Sequence, residues 1–336
     1  LVSLVMDPEP AVAAIAGRRL VVIDPLILEG VSRTLAINSD PNVRRIAAEA
    51  IVLQHRADAV AFLGGMLDDP APLVRSYVRD QLIALERDPA LREPVRAAAA
   101  AMLDTDQWRG LEQAALLLGR LDHETSAKRL LSLLEHPRAE VQVAAAAALR
   151  WLAVPETLAP LHERVVQFTD AKHAADPADL EMRKYKAING AKAVQIFQLF
   201  GQLKYRTAHD LLMRYVPKSA PVDTEARVAA VWALGYLYEG KENEHLATLL
   251  VDRLSDDAGN NPERMSVRRM CAVSLARMKA HAHLESIRSF YRPNYFDEVV
   301  LACRWAVTDL TGIELPSPAP FPVKLEKWFL MPYDEP

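Results

Sequence analysis

Two histidine–glutamate pairs, His123-Glu124 and His162-Glu163, are the side chains of this sequence best suited by type to hold a catalytic metal. Imidazole nitrogen and carboxylate oxygen suit zinc or iron, but a site needs three or four such ligands converging. The first pair falls in a turn and the second within a helix, so the two are not expected to share an ion. Asp252, Asp256, Asp257, Asn260 and Asn261 make an oxygen-rich cluster of the kind calcium prefers. It has neither the spacing of a calcium loop nor the closing bidentate glutamate, and it reads as a solvated turn with helix caps. His281 and His283 would need ligand partners from elsewhere and read as exposed turn residues. The sequence holds no glycine-rich phosphate loop, no Gly-x-Ser-x-Gly elbow and no Cys-x-x-Cys pair. No catalytic residue, metal ligand or cofactor site is therefore assigned, and a binding role is expected ahead of an enzymatic one.

The elements that would position any functional side chain come from a repeat. A β-branched or small residue, often followed by Arg, recurs with small or apolar residues at +4, +7, +8 and +11. The copies open at Val43, Val74, Gly110, Val141, Lys192, Ala226, Val267 and Val299, with a weaker one near Pro10. At 100° per residue these offsets fall on one stripe, so each copy is an amphipathic helix. A second helix precedes most copies, as over 58–67, 124–134, 207–215 and 244–254, and Asp40-Pro41, Asp68-Asp69-Pro70 and His136-Pro137 separate the two. Most copies lie about thirty to forty residues apart, the length of a helical hairpin.

The run Asp40-Pro41-Asn42-Val43-Arg44, followed by Ala47 and Ala50, resembles a bacterial HEAT repeat, the type shared with phycobilin lyase-like HEAT proteins. The resemblance covers residues 7–311. It implies an all-α, right-handed α-solenoid of about eight or nine stacked hairpins. One HEAT family, deoxyhypusine hydroxylase, holds a di-iron centre with several equivalent His–Glu pairs, which the two unequal pairs here do not reproduce. The expected organisation is a solenoid over 1–311, interrupted near 170–186 and 255–263, and a Pro-rich, aromatic tail over 312–336 that packs on it. Both interruptions read more readily as tolerated surface insertions than as specificity loops.

The register assigns further roles. Cys271 and Cys303 both stand at +4 of adjacent copies, so they are expected as buried free thiols, too far apart for a disulfide. Arg44, Arg75, Arg227 and Arg268 stand at +1, where each is expected to tie a turn to its neighbour rather than form a basic ladder for a ligand. Positions +2, +6 and +9 face away from the stripe and, as the resemblance implies, line the concave surface. In later copies they are apolar: Val228 and Trp232, Val273, Leu301 and Trp305. With Arg269 and Arg304 these form the candidate binding strip, expected to take a partner helix or peptide. Burial between neighbouring helices, or cover by the tail with Leu325, Trp328, Phe329 and Tyr333, is the competing expectation. A HEAT-type lyase or chaperone-like protein holding an apolar or tetrapyrrole ligand is the alternative function.

Composition sets the outer bounds. The charged fraction is 25%, the hydrophobic fraction 51% and the net charge −4, as in a chain that can bury a core in water. Nucleic-acid binding is disfavoured, because Arg45, Arg150, Arg269 and Arg304 are interleaved with Glu49, Asp80 and Glu112. No apolar run is long enough to span a membrane. The first residue is Leu1, as expected of a processed form or a piece of a longer chain, so a targeting signal is not judged; the cytoplasm is slightly favoured.

Overall fold

A computed structural model describes residues 2–23, 25–174, 180–219 and 222–319. The described residues are helical, with no strand, and no helix among them is long and apolar enough to cross a membrane. They form two compact units, Leu1–Leu203 and Lys204–Pro336, each described by itself.

The first unit runs α1 (Pro10–Ile23), α2 (Glu29–Leu35), α3 (Pro41–Val52), α4 (Ala57–Met66), α5 (Pro72–Leu85), α6 (Arg92–Leu103), α7 (Trp108–Arg120), α8 (Ala127–Leu133), α9 (Ala139–Leu152), α10 (Leu158–Ala174) and α11 (Leu180–Gln202). The second runs α12 (His209–Met213), α13 (Thr224–Leu237), α14 (Glu244–Ser255), α15 (Met265–Arg277), α16 (Leu284–Ser289) and α17 (Glu298–Thr311). The odd-numbered helices from α3 onward carry the repeat stripe. In the first unit α1 packs on α3, and so on to α9 on α11; in the second α13 packs on α15 and α15 on α17. From α2 onward, each even-numbered helix leans on the odd helix that follows it. This is an α-solenoid arrangement of HEAT-like hairpins, and the weak first copy is a true helix. The interruption near 170–186 lengthens both α10 and α11, so that Lys192 lies midway along α11; residues 175–179 are outside the described set.

Local chemistry explains the boundaries. Asp40 accepts from the Asn42 amide ahead of Pro41, Asp223 from Glu225, and Asp297 from Val300, each satisfying an otherwise free helix N-terminal donor. Several odd-numbered helices end on a left-handed residue: Ala153 at φ 51°, Lys279 at 59° and Gly312 at 73°. Such a conformation crowds a Cβ, which is why glycine favours it. Ala153→Gly is therefore expected to raise the unfolding free energy by about 0.5–1 kcal/mol, measurable by denaturant titration.

The stripe residues form the core. Ala47, Ala50 and Ile51 in α3, Ala145, Ala148 and Leu149 in α9, and Cys271, Ser274 and Leu275 in α15 are all buried. Both cysteines are free, as the register predicts. Burial pushes the Cys303 thiol up to about 12 and that of Cys271 higher still, so neither is nucleophilic near neutral pH.

The +1 arginines are staples. Arg44 donates to both Asp69 carboxylate oxygens, at 2.7 and 2.8 Å, and to the Asn38 and Ser39 carbonyls. Arg227 does the same with Glu263, at 2.8 and 2.6 Å, and with the Tyr215 and Val216 carbonyls. Arg268 reaches the Leu254 carbonyl at 2.8 Å and Asp257 at 3.4 Å, while Arg75 reaches only carbonyls, of Asp69 and Pro70. The oxygen-rich cluster is a solvated turn, with Asp252, Asp257, Asn260 and Asn261 exposed, but its carboxylates do more than meet water. Asp256 pairs with Lys218 and Arg253, and Asp257 with Arg268, so these two neutralise cations. The 255–263 interruption is likewise more than a surface insertion, because it delivers the buried Glu263.

Candidate interaction face

Helices α13, α15 and α17 lie side by side, and their +2, +6 and +10 residues form rows across them. The +6 row reads Trp232, Val273 and Trp305; the +2 row reads Val228, Arg269 and Leu301. Trp305 is 43% exposed and Leu301 38%, one turn apart on α17. Trp232 and Val273 are half-buried. Val228, at 9% exposure, does not join the open surface: neighbouring helices cover it, the outcome that competes with an exposed strip. Arg269 pairs with Glu298 at 3.1 Å. Arg304 is turned to the chain itself, donating to the Leu315 carbonyl at 2.7 Å and the Pro316 carbonyl at 3.0 Å. Tyr291 also donates to the Pro316 carbonyl, so residues 315–316 are held beside α17. The tail residues Leu325, Trp328, Phe329 and Tyr333 lie outside the described residues.

The +10 row reads Tyr236, Arg277 and Asp309, none of which is singled out from the sequence; Asp309 is exposed and pairs with Lys279. Tyr236 packs against Trp232 with ring centroids 4.3 Å apart and the rings tilted by 52°. The Arg277 guanidinium lies 4.0 Å from the Tyr236 ring centroid and 5.6 Å from that of Trp232. Its Nη1 is buried without a hydrogen-bond partner, and burial holds its pKa below the usual arginine range. An arginine stacked on aromatic rings with a donor to spare can bind an acceptor that arrives with a partner. The first unit repeats the motif at the same offset. Arg120 lies 4.3 Å from the Trp151 ring centroid, and both line a cavity of about 350 Å³ with Leu116 and Ile83. The signal was present in the sequence, since 120, 151, 236 and 277 share the +10 position.

The histidine–glutamate pairs belong to the first unit. His123 hydrogen-bonds Ser126 at 2.7 Å in its turn, and burial, with Arg96 nearby, lowers its pKa. His162 packs near Phe200 within the first unit. His283 approaches Glu242 at 3.9 Å. Among the described residues no three His, Cys, Asp or Glu side chains are grouped to hold a metal.

No protein-family model and no curated protein matches the chain. Several solved structures align with it, each at low identity and a TM-score below 0.5. Kap121p bound to RanGTP shares 13% identity at a TM-score of 0.45, over 92% of this chain and 36% of that one. An engineered protein shares 18% at 0.44, over 92% and 87%. The CpcE–CpcF complex of phycocyanin lyase from Nostoc sp. PCC7120 shares 17% at 0.39, over 84% and 94%. These likenesses concern the fold and assign no chemistry to this chain.

Proposed function

We propose that the protein is a non-enzymatic scaffold that binds a partner helix or extended peptide on the α13–α15–α17 face. The observation that supports this most is the exposure of Trp305 and Leu301 on one side of α17, in the same rows as the half-buried Trp232 and Val273. A tryptophan left open to water beside other apolar groups has surface to bury, and tryptophan is over-represented among residues that dominate binding energy. Arg277 supplies a charged donor at the edge of the same surface, which suits a partner with apolar anchors flanked by an acidic side chain. Arg269 and Arg304 are engaged within the chain and contribute less.

The test uses Trp305→Ala, because Trp305 is exposed and its loss should leave the core intact. A partner recovered by affinity purification and then purified should bind this variant roughly thirtyfold more weakly, about 2 kcal/mol, at an unchanged melting temperature. Equal affinity for Trp305→Ala and the unaltered chain would remove this face from consideration.

A further inference from the structure

Val43, Val74, Val141, Val267 and Val299 each open a repeat copy with a buried valine. The copy in α11 opens with Lys192 at the same register position, and it is only 8% exposed. Its ammonium forms no ion pair among the described residues. Its one hydrogen bond is long, 3.5 Å to the Leu134 carbonyl, and the Phe168 ring centroid lies 5.8 Å away. Burial holds its pKa below the ordinary lysine value; Glu135 opposes that shift and Arg164 adds to it. One turn earlier, Asn189 is 3% exposed, and its Nδ2 donor has no partner. A buried cation and a buried amide left unmatched are both costly unless something fills their needs.

Both side chains line one cavity of about 210 Å³ in the first unit, closed by Phe168, Ile188 and Ile196 on its apolar side. The repeat pattern supplies no counterion here. In α3 the staple is Arg44, whose carboxylate partner Asp69 lies in the turn before the next copy. Here Gln142 occupies the arginine position and donates to the His136 carbonyl at 2.6 Å. Residues 187–189 lie within α11 and contain no carboxylate. The remaining charges at the cavity are Arg164 and Glu135, which approach each other at 3.5 Å, and Arg164 also bonds the Leu131 carbonyl. The site thus presents one net cation, a spare amide donor and an apolar side.

We propose that this cavity binds a small organic carboxylate, its oxygens taking the donors of Lys192 and Asn189 and its short apolar body lying against Phe168, Ile188 and Ile196. The space equals that of about seven liquid waters, enough for a compact acid but not a long chain. A dianion such as phosphate fits less well, because Glu135 shares the cavity and Phe168, Ile188 and Ile196 give its outer oxygens no donor.

The full chain is titrated with benzoate, 3-methylbutanoate, neutral benzamide and inorganic phosphate, followed by ligand-observed NMR and thermal shift. Benzoate and 3-methylbutanoate should bind and raise the melting temperature, with benzamide and phosphate at least about tenfold weaker. Lys192→Met, which matches the side chain's length without its charge, should weaken benzoate by about tenfold or more while remaining folded by circular dichroism. If that variant does not fold, Asn189→Ala carries the same expectation. No carboxylate binding at millimolar concentration, phosphate bound more tightly than benzoate, or equal benzoate affinity in the folded variant would each overturn the proposal. None of these residues belongs to the α13–α17 face, so the result is independent of the scaffold reading.

Discussion

Replacing Glu263 with alanine is expected to lower the unfolding free energy by about 3–5 kcal/mol, the range for removing one partner of a buried ion pair. Its carboxylate is almost wholly enclosed, receives two hydrogen bonds from Arg227 and one from the Arg264 amide, and has Arg253 at 3.8 Å. Truncation leaves the Arg227 guanidinium buried with only the Tyr215 and Val216 carbonyls for company. Replacing both partners with apolar residues, as in Arg227→Met with Glu263→Leu, should recover most of the loss, because no charge is then stranded. The pH dependence supplies a second readout. Burial pushes the Glu263 carboxyl up, but the hydrogen bonds from Arg227 and Arg264 and the nearby charges outweigh it, so its pKa is held below the usual glutamate range. A depressed acid pKa stabilises the fold above the unfolded value and loses that contribution as pH falls through the folded one. Urea titrations from pH 7 down through 4.5 should therefore show a steeper acid-dependent loss in the unaltered chain than in Glu263→Ala. Equal slopes in the two proteins would mean that the pair does not form as described.

The staples also show what was legible in the sequence. Arg44 and Arg227 could be assigned to turns because their position is fixed by a local pattern one helix long. Their partners could not. Nothing in the run 255–263 marks Glu263, rather than Asp256 or Asp257, as the buried one; the approach of Arg227 from another hairpin selects it. The same division runs through the candidate face. Trp232 and Trp305 occupy one offset and face the same way, yet they differ in exposure because exposure depends on the helices alongside. The +2 residues differ in the same way: Val228 is covered, whereas Leu301 at the same offset is exposed. Tyr236 and Arg277 were missed for a simpler reason: the reading stopped at +9, one residue short of their row. Lys192 was visible as a lysine at a valine position, but its lack of a counterion is a property of three hairpin segments together and appears only when they are assembled.

Gly119→Ala is expected to destabilise the first unit by about 2 kcal/mol net, although alanine is the better helix former. A methyl group added at Gly119 would stand 2.8 Å from the Ala148 Cα, 3.0 Å from its Cβ and 3.0 Å from Trp151 Cε3. The nearest atom belongs to the backbone of α9, so no rotamer change relieves the clash; α7 and α9 must separate. Such overpacking costs about 1–3 kcal/mol, here at the upper end, and the roughly 1 kcal/mol of helix propensity gained offsets only part of it. Gly65 is the internal control. It lies in α4 with nothing within 4 Å of an added methyl, so Gly65→Ala should stabilise by up to about 1 kcal/mol. Opposite signs for one chemical change would show that close approach of the odd-numbered helices, not glycine content, sets the result. Ala148→Gly placed on Gly119→Ala should return part of the lost stability by removing the 3.0 Å contact. The first unit's arginine–tryptophan pair feels the same displacement. Trp151, which meets the added methyl, is the ring beneath Arg120, so prying α7 from α9 shifts that ring under its guanidinium. The spacing that packs this part of the core is therefore also the spacing that sets the Arg120–Trp151 pair.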